Sequence, residues 1–266
     1  MKKVAAVDGT QTVGRALEIL ECFTATDRPS LSVTEISARV RLTVPTVHRL
    51  VKALQAREMV VSDPVSRRYS LGPGVMRLAR VIMQRDDLQV IALPHLLALR
   101  ERTRETVGLH WLVGHERVCV VELVSPHPIR MASGVGQVYP LYAGAAGKAL
   151  LAWLPREEVD RFLEKAELRA LTPDTPTTRR AVKSELAQIR QRGFATSSGE
   201  TVSGAAALAA PILDSSGRPV AAINITGPKD RWTPTRMADT VQALLDATSR
   251  IMRYLGHQGT PEETAR

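Results

Sequence analysis

The feature that most restricts the fold is the order of elements in the first seventy residues. Ser32-Val33-Thr34-Glu35 has the S-x-x-E spacing of a capping box, in which the Ser hydroxyl and the Glu carboxylate satisfy free backbone N–H groups at a helix start. It opens a short helix with Val33, Ile36 and Val40 facing inward. A second start follows within three residues, at Thr43-Val44-Pro45, where proline is tolerated because a first-turn N–H has no helical partner. That helix runs to about Ala56. Before this pair, Thr12 to Phe23 has apolar residues at helical spacing. After it, Met59–Ser62 and Tyr69–Leu71 read as a hairpin across DPVSRR. Three helices and a hairpin in this order are the layout of a winged helix-turn-helix.

On a helical wheel Val44, Val47, Leu50, Val51 and Leu54 fall on one face of the third helix. Pro45, Arg49, Lys52 and Ala53 lie opposite, with Thr46 and His48 on the flanks. An apolar back and a basic front suit a helix that reads the major groove, although an ordinary amphipathic surface helix also carries Lys and Arg. Charge bears on the choice. Residues 1–80 hold 13 Lys and Arg against 7 Asp and Glu, a net of +6, whereas residues 81–266 hold 23 against 20, a net of +3. The basic excess fits an anionic partner for the first third of the chain, and the predicted wing tip adds Arg67 and Arg68.

Beyond Gly72-Pro73-Gly74, helical spacing returns over Val75 to Gln84, and Ile91 to Arg104 reads as an amphipathic helix. Val107–Val113 and Arg117–Val124 are β-rich runs joined at Gly114-His115-Glu116. Leu150–Ala166 and Arg179–Arg192 read as helices. Ala205–Leu213 and Pro219–Thr226 read as strands, and Val241–Leu255 as a closing helix. Hairpins rather than β-α-β alternation predict an antiparallel sheet with helices packed on it, an α+β domain. The longest uncharged stretch, Met131 to Gly147, contains four glycines and Pro140, so it is no membrane span. The N-terminus has no apolar signal-peptide core. Cys22 and Cys119 are too few for a disulfide framework or a zinc site, and read as reduced thiols of a cytoplasmic protein.

Residues 140–151, PLYAGAAGKALL, resemble a phosphate-binding loop. A Walker A loop requires G-x-x-x-x-G-K-[ST], but here the first glycine position is Tyr142 and the residue after Lys148 is Ala149, which has no hydroxyl for Mg²⁺. The phosphate loop is therefore rejected. The small residues either let an anion approach free amides at a helix start or allow close strand-helix packing. Lys148 reads as a surface residue of that helix's first turn. The six histidines, His48, His95, His110, His115, His127 and His257, are scattered, with no G-x-S-x-G elbow or H-E-x-x-H pair, so no catalytic or metal site and no cofactor is expected. His110 and Trp111 point to opposite faces of one strand. Either one reaches a pocket, or both are structural.

Taken together, GRALEILECF, VTEISARV with TVHRLVKAL, RRYSLGPGVMRLA, ETVGLHWLVGHERVCVVELV, YPLYAGAAGKALLAWLP, LTPDTPTT, IRQRGFATSSGE and ALAAPILDSSGRPVAAINITGP resemble the IclR family of bacterial transcription regulators over nearly the whole chain. The resemblance implies a winged helix-turn-helix over residues 1–74, a linker helix over 75–90, a GAF-like effector-binding domain over 91–256 and a loose tail over 257–266. It implies a homodimer or homotetramer that binds operator DNA as repressor or activator of a catabolic operon. A C-terminal enzyme acting on a small acid is the alternative. Thr43, Thr46, His48, Arg49, Lys52, Arg67 and Arg68 are then the DNA-contacting set. Met131, Tyr139, Ala145, Ala146, Ser197, Ala205, Ala207, Asn224 and Thr226 carry over as effector-pocket positions. Asn224 and Thr226 share a strand face, as ligand contacts or as a solvent-facing edge. Small Ala205 and Ala207 beside Tyr139 and Met131 favour an aromatic acid over a two- or three-carbon keto acid.

Two positions depart from the family pattern. The turn Val40-Arg41-Leu42 lacks the usual glycine, and a left-handed Arg41 costs about 1–2 kcal/mol. The recognition helix begins Thr43-Val44-Pro45, with Thr43 expected as its cap. For assembly, Val75, Met76, Leu78, Ala79 and Ile82 form the apolar face expected to meet a second copy.

Overall fold

Ser32 opens a helix in the computed structural model, which describes residues 11–26, 28–83 and 87–257. The chain divides into two compact units at Arg85/Asp86, inside the expected linker.

In the first unit, α1 (Gln11–Glu21), α2 (Val33–Val40) and α3 (Val44–Gln55) pack around Ile19, Leu31, Ile36, Val47 and Val51, all buried. The capping box is complete: the Glu35 amide donates to Ser32 Oγ, and the Ser32 amide donates to Glu35 Oε2. Arg41 adopts the left-handed conformation, φ 53° and ψ 41°. Both the Arg41 and Leu42 amides donate to Ser37 O, which closes the turn without glycine. The strands β1 (Val60–Ser62) and β2 (Tyr69–Leu71) pair antiparallel as the wing, and Leu31 adds an isolated bridge to Tyr69. Helix α4 (Pro73–Met83) follows. Val44 departs from the wheel: it is 42% exposed, because as the first residue of α3 it precedes the turn that packs inward.

In the second unit, α5 (Asp87–Thr103) leads into β3 (Thr106–Val113) and β4 (Glu116–Leu123). Then come β5 (Val138–Pro140), α6 (Ala145–Trp153), α7 (Arg156–Lys165), α8 (Arg179–Arg192), β6 (Ala195–Ser198), β7 (Ala205–Leu213), β8 (Pro219–Pro228) and α9 (Pro234–Tyr254). The six strands form one antiparallel sheet in the order β5-β4-β3-β8-β7-β6. All nine residues of β7 are buried although successive side chains point to opposite faces, so both faces of the sheet are covered. Helix α6, backed by α8, and helix α9, backed by α5, both pack on β7. The architecture is α+β, as expected.

The expected helix over Leu150–Ala166 is two helices. Leu154 is extended (φ −65°, ψ 150°) because the residue before a proline is pushed out of the helical region, and Pro155 then precedes α7. His257, expected as the first residue of the tail, is buried, with Nδ1 2.8 Å from Asp214 O. Residues 258–266 and the Ile82 side chain, named above for the tail and the apolar face, lie outside the described residues.

Candidate functional site

Helix α3 buries Val47, Leu50 and Val51 and leaves His48, Arg49, Lys52 and Ala53 exposed. Among the described residues neither Arg49 nor Lys52 forms an ion pair, so both cations are open to an incoming anion. Arg67, at the wing tip, is also exposed. Two side chains of this set make bonds within the unit that the sequence did not announce. Thr43 makes no side-chain cap; its hydroxyl lies 2.9 Å from that of Thr46, so the two threonines hold one another at the start of α3. Arg68 is folded inward. Its Nε donates to Ser30 Oγ, and its Nη2 to Ser30 O at 2.9 Å and Glu35 Oε2 at 2.8 Å. A guanidinium so committed fastens the wing to α2, with Nη1 outside these bonds.

In the second unit the register brings the expected pocket together. Ser197 pairs with Ala207 and Ala207 with Thr226, so these three form one row across β6, β7 and β8. Ala205 and Asn224 lie two residues along their strands, on the same face. Against that row stand Met131 and the start of α6. The resulting cavity is about 60 Å³ and is lined by Met131, Ala145, Ser197, Ala205, Ala207, Asn224 and Thr226 of the expected set. Asn224 is buried in a central strand, which removes the reading of a solvent-facing edge. Its Nδ2 donates to Thr226 Oγ1 at 2.6 Å, and its Oδ1 has no partner among the described residues.

Two expected pocket residues do not line the cavity. Ala146 is buried one position further into α6, and the Tyr139 ring lies beneath the guanidinium of Arg117, 4.5 Å from Cζ to ring centroid. Arg117 itself, with Gly144, Glu200 and Thr201, lines the cavity and was not read from the sequence. A lone arginine in the apolar run Arg117–Val121 was the signal available.

Arg117 is 4% exposed. Its Nη1 donates to His110 Nδ1 at 3.0 Å. Burial, and then the Arg117 charge, hold the His110 pKa well below the usual histidine range, so the ring stays neutral and accepts this bond. Burial pulls Arg117 itself down to about 10, which leaves it charged at neutral pH. His110 is therefore a buried partner of the pocket cation, and Trp111, also buried, does not line the cavity.

The glycines of the 140–151 segment have separate roles. A side chain at Gly147 would place Cβ 2.7 Å from Leu141 O, so this glycine serves close packing. Gly144 has φ +78° and precedes α6. Its amide donates to Glu200 Oε2 at 2.9 Å. Lys148 is not a surface residue: it is fully buried, with Nζ donating to both Glu185 and Glu200. Burial outweighs this pairing at Glu200 and raises its pKa. No acceptor among the described residues meets the amides of Ala145 and Ala146, which a helix start leaves free.

Residues 81–253 match the C-terminal domain of bacterial transcriptional regulator IclR, and residues 12–64 match the IclR helix-turn-helix domain. The chain belongs to the IclR family. IclR-family proteins are ligand-responsive transcription regulators and not enzymes. Among relatives, the HTH-type transcriptional regulator XynR of Escherichia coli is 31% identical over 247 residues, covering 93% of this chain and 98% of XynR. The crystal structure of Thermotoga maritima IclR superposes with a TM-score of 0.76 at 31% identity, covering 93% of this chain and all of that one. An IclR homologue of Microbacterium hydrocarbonoxydans, complexed with 4-hydroxybenzoate, has a TM-score of 0.76 at 25% identity, covering 92% and 99%. Both IclR domains are thus present in the expected order.

Proposed function

We propose that this IclR-family regulator binds operator DNA through Arg49, Lys52 and their flanking Thr46 and His48, with Arg67 of the wing on the phosphate backbone. A small organic acid in the cavity beneath α6 changes that binding, and the genes controlled serve the catabolism of the acid. The observation that carries the effector reading is that Ser197, Ala207, Thr226 and Asn224 line one cavity with Ala145, whose amide is free. Amides at a helix start favour a carboxylate, and Asn224 with Thr226 supplies hydrogen bonds to its uncharged end.

The volume bears on which acid. The cavity is small, about 60 Å³, which favours an acid of a few heavy atoms. An aromatic acid, the choice favoured by the alanines and the kind of ligand held by the Microbacterium homologue, sets its ring against the wall of Met131, Ala132 and Ser133. A single winged helix offers a small DNA interface, so two copies on two half-sites are expected. Met76 and Leu78, 70% and 58% exposed on α4, supply the apolar face for pairing.

The test is fluorescence anisotropy on duplexes from the region upstream of the chain's own coding sequence, with glyoxylate, pyruvate, benzoate and 4-hydroxybenzoate added in turn. Salt-sensitive, sequence-specific binding that one acid alters is the expected result. Binding that no acid alters removes the effector reading, and absence of sequence preference removes the operator reading.

A further inference from the structure

A guanidinium is expensive to bury without a carboxylate, because the charge loses its hydration and gains no counter-charge. Arg117 is such a group. It is 4% exposed, and no described carboxylate lies within ion-pair distance. Its two contacts are neutral: His110 Nδ1 on Nη1, and the face of Tyr139. Its Nε–H is buried with no partner among the described residues. Its Nη2 lies beside Gly144, 3.1 Å from where a Cβ would stand on that residue, immediately before the free amide of Ala145. Glu200 is the carboxylate that shares the cavity, and both its oxygens are already engaged, by Lys148 Nζ and by the Gly144 amide.

We propose that Arg117 is the counter-charge of the effector: its free guanidinium edge and the start of α6 together hold one carboxylate. This inference rests on reading the cavity as the effector site, and it narrows the ligand to an obligate anion. Tyr139 and His110 then serve as positioning residues. Tyr139 supports the guanidinium plane from below, directly across the β4–β5 pair, and His110 takes one donor and leaves the rest free. A planar fork satisfies two carboxylate oxygens at once, which a lysine cannot do with the same geometry.

The test uses the full-length protein and calorimetric titration with four acids and their neutral amides: acetate against acetamide, pyruvate against pyruvamide, benzoate against benzamide, and 4-hydroxybenzoate against 4-hydroxybenzamide. At least one acid is expected to bind the wild type while its amide does not. Arg117→Met is expected to weaken that acid by at least about tenfold. If Arg117→Met does not fold, Arg117→Lys serves instead, with severalfold weaker binding expected. An acid and its amide binding equally, or either variant binding the acid as tightly as the wild type, overturns the role of Arg117 while the cavity keeps its reading as the effector site. Binding of no acid overturns both.

Discussion

Arg68, in the wing, and Glu35, in the first turn of α2, are joined at 2.8 Å. The same carboxylate oxygen accepts from the Ser32 amide at 2.7 Å, and the other oxygen meets Arg28 at 3.1 Å. Hydrogen bonds from Ser32, first, and the charge of Arg68 hold the Glu35 pKa down at about 2, against an ordinary 4.5. A depressed carboxylate contributes stability that is complete above the unfolded value and is lost as pH falls through the folded one. The difference in melting temperature between wild type and Glu35→Gln should be constant from neutral pH to about 5 and close as pH falls from 4.5 toward 2. A gap independent of pH would contradict this assignment.

The two wing arginines separate in the same terms. Arg68→Ala is expected to lower thermal stability and leave the salt dependence of DNA binding unchanged. Arg67→Ala is expected to leave stability alone and reduce the slope of log K against log salt by about 1. Melting curves and anisotropy over a salt series check both, and the reverse pattern would exchange the roles.

Gly147→Ala places a methyl 2.7 Å from the Leu141 carbonyl, a backbone atom that cannot step aside. Overpacking of this kind costs about 1–3 kcal/mol, so urea denaturation should show a lower midpoint. An unchanged midpoint would mean that α6 shifts freely on its loop.

Ala207 sits mid-row between Ser197 and Thr226 and lines a cavity of about 60 Å³. Ala207→Leu fills that space, so calorimetry should detect no binding of any acid that binds the wild type. Retained binding would place the effector elsewhere.

The parts of the fold most legible in the sequence are those whose causes are local. The Ser32–Glu35 capping box, the inward stripe of α3 from Val47 onward and the β3–β4 hairpin are each specified within a few residues, and each is present. The strands β5 and β6 are three and four residues long, too short for an alternation to be seen. The burial of Lys148 is not legible locally, because its partners lie 37 and 52 residues away and no local pattern distinguishes a cation buried by distant carboxylates from one in water. Arg117 was missed for the same reason: its neighbours His110, Tyr139 and Gly144 meet it only once the sheet and α6 are assembled. Family resemblance brought seven pocket positions to the cavity wall, yet could not supply a residue in which this chain's own charge resides.

If the exposed face of α3 reads operator sequence, Arg49 is the side chain whose loss shows it. Fluorescence anisotropy of wild type and Arg49→Ala should be compared on the upstream duplex and on an unrelated duplex of equal length. Arg49→Ala is expected to lose about 1–3 kcal/mol on the upstream duplex and much less on the unrelated one. Equal affinity of both proteins for the upstream duplex would contradict it.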